Sequence, residues 1–189
     1  MTSLKLSKGS KILLIGGGLW YFGEGMFGPL LALFTERIGG DVLNITWAWA
    51  TYLMFYGVLS IVIGYLSDTR FSKEKLMVIG YAVNAVFTFG YLFVDDPISL
   101  LLVQAGLGVA AALATPTWNA LFDEWSKEHV DGYAWGISEG VASIVTAISI
   151  VVGGLVVTKY GFIALFTIMG SVQVLATFYQ ARIFLLPTR

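Results

Sequence analysis

Four stretches of this chain, residues 42–67, 76–94, 97–122 and 160–181, contain no charged side chain, and residues 12–35 and 132–158 contain one acid each, Glu24 and Glu139. A helix crosses the hydrocarbon core of a bilayer with about 20 apolar residues, so each run is long enough for one crossing. The runs are continuously apolar instead of alternating with a period of two, which disfavours a membrane β-barrel. Composition agrees. Hydrophobic side chains make up 57% of the chain and charged ones 12%, against roughly 25% charged in soluble domains. A surface so poor in charge cannot be presented to water. The reading is an all-α polytopic membrane protein with a single domain, 1–189. Its six helices are expected at roughly 12–35, 45–66, 76–94, 97–122, 133–157 and 162–185.

A net charge of −1 leaves no basic face for nucleic acid. The chain has no cysteine, hence no disulfide, thiolate metal site or cysteine nucleophile. Nothing calls for a cofactor or a metal, and no Ser–base constellation suggests an enzyme. His129, alone in an acidic loop, reads as solvated. Lys5, Lys8 and Lys11 before an apolar run have the look of a secretory leader. No small-x-small cleavage pattern follows and the apolar character continues past Pro29, so this segment reads as an uncleaved first helix.

Basic residues set the orientation. Lys5, Lys8, Lys11, Arg70, Lys73, Lys75, Lys127, Arg182 and Arg189 fall in one set of flanking segments, and Arg37 and Lys159 in the other. Both termini are therefore expected in the cytoplasm, with the protein in the plasma membrane. Asp96-Pro97 reads as an N-cap followed by proline at the first helical position. Trp47, Trp49, Trp125 and Trp135 read as anchors at the membrane interfaces.

Within the first helix, Glu24 sits at the most costly depth for a carboxylate, about 2.5–3.5 kcal/mol on insertion scales. It is flanked by Gly23, Gly25 and Gly28, which admit close approach. It reads either as a substrate or proton site in a central cavity, or as an acid hydrogen-bonded to Trp20 or Tyr21. Glu139 is followed on the same helical face by Ser143, Thr146, Ser149 and Gly153, a polar stripe suited to a water-filled path. Gln104 and Asn119 on the fourth helix read as cavity lining, and Asn84 on the third as structural. Gly136, Gly140, Gly153 and Gly154 form a small-residue seam expected to pack against another helix.

Pro29 and Pro116 each sit late in a helix and are each followed by Ala-Leu-Phe, three helices apart and thus oppositely directed, the pattern of a three-plus-three inverted repeat. The loop Gly64-Tyr65-Leu66-Ser67-Asp68-Thr69-Arg70-Phe71-Ser72-Lys73 resembles the cytoplasmic signature of the major facilitator superfamily (MFS), G-x-L-a-D-R-x-G-R-K. Gly64, Leu66, Asp68 and Lys73 fall on its positions, Thr69, Phe71 and Ser72 depart from it, and Arg70 keeps the loop basic. Gly106-Leu107-Gly108 is similar to the family's R-x-x-x-G-x-G, with Leu102 in place of the arginine. Gly140 and Gly153-Gly154 resemble the glycine run of its drug/proton antiporters, with Ser149-Ile150 in place of Gly-Pro. The resemblance implies one six-helix half of such a transporter. It implies movement of a small solute by alternating access, with a second copy or another six-helix half as partner. A non-transporting membrane scaffold, or a fragment of a full-length transporter, is the alternative.

Overall fold

The computed structural model describes residues 6–126 and 131–186; Lys5, Lys127, His129 and Arg189 lie outside them. No strand occurs among the described residues. The chain runs α1 (Lys8–Gly25), a 3-10 turn (Gly28–Leu30), α2 (Leu31–Arg37), α3 (Val42–Thr69), α4 (Lys73–Gly90) with a 3-10 turn (Tyr91–Phe93), α5 (Pro97–Trp125), α6 (Asp131–Gln180) and a closing 3-10 turn (Ala181–Leu185). Four helical stretches, Val42–Thr69, Lys73–Phe93, Pro97–Trp125 and Gly132–Leu185, are long and apolar enough to cross a membrane.

The helices start where their caps require. Ser7 Oγ accepts from the Ser10 N–H at 3.0 Å, and Ser72 Oγ from the Lys75 N–H at 3.2 Å. Asp41 with Asn44, and Asp96 with Ser99, form reciprocal capping boxes, which satisfy N–H groups that a helix start leaves without partners. Pro97 takes the first turn of α5, where its missing N–H costs nothing.

Two departures from the expected helices have local causes. The first helix is interrupted after Gly25, and Pro29 sits at the start of the following 3-10 turn. The interruption brings the Met26 backbone against α6: a Cβ on Gly153 would stand 2.7 Å from the Met26 carbonyl carbon. Pro116, its expected counterpart, remains inside an unbroken α5, so the two prolines have different effects. The fifth and sixth expected helices run on as α6, divided at Gly161 with φ 82° and ψ 179°. That conformation is nearly closed to residues with a Cβ. Residues 131–160 and 162–180 are therefore two helical segments.

α1 packs chiefly on α6, and α5 on α3 and α4, with α4 also touching α6. Small residues make these approaches possible. A Cβ on Gly80 of α4 would lie 2.7 Å from the Ala114 nitrogen, and one on Gly108 of α5 would lie 2.6 Å from the Tyr52 carbonyl oxygen of α3. One apolar cluster gathers Phe27, Phe34, Tyr91, Phe162 and Phe166, whose rings meet edge-on at 4.8–5.2 Å for Phe27–Tyr91, Phe27–Phe166 and Phe34–Phe166. The second cluster gathers Leu13, Met77, Leu121, Phe122 and Ile183. Large apolar side chains such as Ile61, Val151, Leu155, Ile163 and Phe178 are exposed on the outside, as lipid contact requires.

The clusters mark the two ends of the bundle. At one end, Ser10 Oγ donates to the Trp125 carbonyl at 2.9 Å, Lys73 meets Glu124, and Leu6 and Leu186 both pack on the second cluster. At the other, the Arg37 guanidinium lies 5.6 Å from the Phe162 ring centroid. The described segments with many basic residues thus gather at one end, and Arg37 and Lys159 at the other.

Candidate functional site

Glu24, in the last turn of α1, is held by two amides. Asn84 Nδ2 of α4 donates to its Oε1 at 2.9 Å, and Gln173 Nε2 of α6 donates to the same oxygen at 3.3 Å. Gln173 also donates to the Trp20 carbonyl at 3.1 Å. Neither Trp20 nor Tyr21 is a partner of the carboxyl, although both were expected as candidates. Asn84, 1% exposed, is therefore part of the carboxyl's support and not only of helix packing. Gly23 has no side chain because the Gln173 amide occupies that space. With both donors on Oε1, the second carboxyl oxygen has no hydrogen-bond partner among the described residues.

Glu24 opens on a recess of about 280 Å³ lined also by Trp20, Tyr21, Trp49, Tyr52, Gln104 and Thr146. Gln104 projects into it from α5 as expected, and is 5% exposed. Glu139 is exposed on α6 and lines a second recess of about 380 Å³ with Tyr21, Ser143 and Thr146. Asn119 lines a third, smaller one of about 40 Å³ with Trp20, Tyr21 and Thr115. Tyr21 borders all three. The four residues singled out from the sequence thus line three neighbouring recesses that share Tyr21.

The polar stripe on α6 changes character along its length. Ser143 and Thr146 line the Glu139 recess, whereas Ser149 is buried, donates to the Thr146 carbonyl at 2.8 Å and abuts Gly25. Within this chain the small-residue seam is packed at one position. A Cβ on Gly136, Gly140 or Gly154 would meet nothing within 4 Å, because no other helix of this chain approaches them. Of the four glycines, Gly153 alone is packed. The other close-packed glycines include Gly16, Gly23 and Gly25 on α1, Gly80 on α4 and Gly106 and Gly108 on α5. Trp49 borders the recess and Trp135 stacks edge-on at 5.1 Å with Phe122, so neither acts only as an interface anchor.

Gln173, Tyr52 and Tyr91 were not singled out in the sequence. Gln173 and Gln180, one heptad apart inside an otherwise apolar run, are the signal that points to an amide-bearing face there. Tyr52 carries no comparable mark. Its role depends on the approach of α3 to α5.

In the signature loop, α3 ends at Thr69 and the Arg70 N–H closes on the Leu66 carbonyl at 2.9 Å. Lys73 Nζ lies 3.7 Å from Asp68 Oδ1 and also pairs with Glu124 at the end of α5. Asp68 remains 71% exposed in its side chain. Gly64 faces open space.

The family model described as Major Facilitator Superfamily matches residues 13–189. The chain belongs to the major facilitator superfamily. Among MFS relatives, an uncharacterized MFS-type transporter of Methanocaldococcus jannaschii is 25% identical over 172 residues, which cover 91% of this chain and 44% of that protein. The multidrug resistance protein MdtG of Salmonella typhimurium is 24% identical over 160 residues, 82% of this chain and 39% of that one. The structure of the POT family transporter PepTSo superposes with a TM-score of 0.78 at 9% identity, covering 93% of this chain and 37% of that one. The chain spans less than half the length of these MFS relatives. Its described residues have an all-helical fold of the MFS type.

Proposed function

We propose that this MFS chain moves a small solute across the plasma membrane by alternating access, with Glu24, Gln104, Asn119 and Glu139 along the solute path. The observation that carries this reading is the set of recesses meeting at Tyr21, one of them holding a carboxyl in the last turn of α1 that is fixed on one oxygen and open on the other. A merely structural acid would have both oxygens enclosed, since an unpaired buried carboxyl is costly.

The path is lined on one side only, so its opposite wall comes from a second six-helix unit. That unit is either a second copy of this chain or the remainder of a longer polypeptide, a reading supported by the share of each relative that is matched. In this reading the chain makes six crossings, divided at Gly39–Gly40 and Gly161 among other turns, with both termini in the cytoplasm. The work is transport and not bond-making chemistry.

Reconstitution into liposomes tests it. Vesicles containing this chain should take up solute from a panel or dissipate an imposed proton gradient. Glu24→Gln should abolish that flux while the protein still inserts with unchanged helical content. Flux equal to the parent in the Gln variant would remove Glu24 from the path, and no flux from the chain, alone or with a second half, would favour a scaffold.

A further inference from the structure

The part of the solute path that this chain supplies carries charge of one sign. Among the residues lining the three recesses, Glu24 and Glu139 are the charged ones, and no lysine, arginine or histidine accompanies them. Acids so placed exclude anions and favour cations. Thr146 relates the two recesses in space. Thr146 borders the Glu24 recess and touches the position of Gly25, beside Glu24. Glu139 lies seven residues before Thr146 on the same continuous helix, two turns away on the same face and about 10 Å along the axis.

Between the acids lie aromatic surfaces. Tyr21 borders both recesses. Tyr52 is fixed by its stack on Tyr56 at 6.1 Å and by Trp49 at 6.0 Å, and Trp20 by Tyr81 at 4.7 Å. Ring faces attract ammonium groups and also take apolar chains. An independent observation points to a ligand. Gln104, 95% buried, lines the Glu24 recess and has no hydrogen-bond partner among the described residues. Its amide oxygen can accept from an N–H donor placed in the recess.

We infer that the path accepts an elongated organic dication: two ammonium groups, one at Glu24 and Gln104 and one at Glu139, joined by an apolar spacer lying along Tyr21 and Tyr52. This names the solute class for the path proposed above and rests on that reading for its transport role, but the binding itself does not depend on transport.

Equilibrium binding to the purified chain in lipid nanodiscs, followed by calorimetry, tests it with 1,8-diaminooctane, 1,3-diaminopropane, octylamine and octanoate. The long diamine should bind on the order of tenfold tighter than either the short diamine or the monoamine, and octanoate should not compete. Glu24→Gln and Glu139→Gln should each bring the long diamine down to the affinity of octylamine. Because Glu139 is exposed, its variant keeps the test alive if the Glu24 variant misfolds by circular dichroism. Equal affinity for all amines, an unchanged long-diamine affinity in Glu139→Gln, or competition by octanoate would overturn the inference. Diamine binding without uptake in liposomes would sink the transport reading and leave the site standing. Uptake of another solute with no diamine binding would do the reverse.

Discussion

Single residues show how the bilayer makes polar groups account for themselves. Glu24 is tolerated among apolar helices because Asn84 and Gln173 bring two N–H donors to one oxygen, which turns a costly acid into a positioned one. Asp96 shows the same logic at the surface. Its carboxylate caps α5 by accepting from the Ile98 and Ser99 N–H groups at 2.7 and 3.1 Å, and these bonds hold its pKa below the ordinary aspartate range. A folded pKa below the unfolded value, about 3.9, means the stabilisation is complete above that pH and is lost as pH falls through the folded value. Asp96→Ala should therefore lower the melting temperature at pH 7, and the gap to the parent should close as both are acidified. Thermal melts followed by circular dichroism across pH 7 to 3 would show it. A gap independent of pH would assign the effect to helix propensity instead of the carboxylate.

At the scale of elements, glycine has opposite meanings on the two faces of α6. Gly153 is required, since the Met26 backbone occupies the space of its side chain. Gly136 faces open space within this chain. Gly153→Leu should destabilise the protein by about 1–3 kcal/mol or more, because backbone cannot move aside as a flexible side chain can. Gly136→Leu should leave the isolated chain as stable or slightly more so, since leucine is the better helix former. Denaturation in detergent, with loss of helical signal as the readout, separates them. Equal destabilisation would mean that α1 does not lie on α6 as described. The contrast has a second use. If Gly136→Leu is silent in the isolated chain yet impairs transport, the Gly136–Gly140 face meets the second six-helix unit.

For the whole molecule, the matched relatives are more than twice as long as the matched segment, and Tyr21, Trp49 and Glu139, which line the recesses, are exposed. A pair of copies would place Asp68 of one near residues 132–134 of the other. There the start of α6 presents N–H groups and a partial positive charge. Within its own chain Asp68 already pairs with Lys73, and an exposed pair of that kind is weak, so an exchange of partners between states is energetically open. The chain has no cysteine, which makes Asp68→Cys and Gly132→Cys on differently tagged copies a clean test. An intermolecular disulfide whose yield changes with added solute is expected of a homodimer. Its absence, with no flux from this chain alone, would assign the opposite wall to a different polypeptide segment. Single variants Ser72→Cys and Gly40→Cys should react with impermeant reagents from the cytoplasmic and outer faces respectively, and the reverse result would invert the proposed orientation.

What the amino-acid order determines by itself is whatever depends on local composition and spacing. Charge-free runs specify membrane helices, because the cost of burying charge in hydrocarbon is paid residue by residue. Asp96-Pro97 specifies a helix start, because a cap acts over three residues. Glu24, Gln104, Asn119 and Glu139 are visible as polar groups in apolar runs for the same reason. What they do together was decided only by the tertiary structure. Glu24 finds Asn84 60 residues away and Gln173 149 residues away, a pairing that no periodicity within one helix encodes. The interruption after Gly25 and the packed Gly153 are one event seen from two helices, and the sequence shows only a proline and a glycine. The open face of Gly136 and Gly140 follows the same rule: small residues show that a helix can be approached closely, and only the arrangement of the bundle decides which helix of this chain, if any, approaches it.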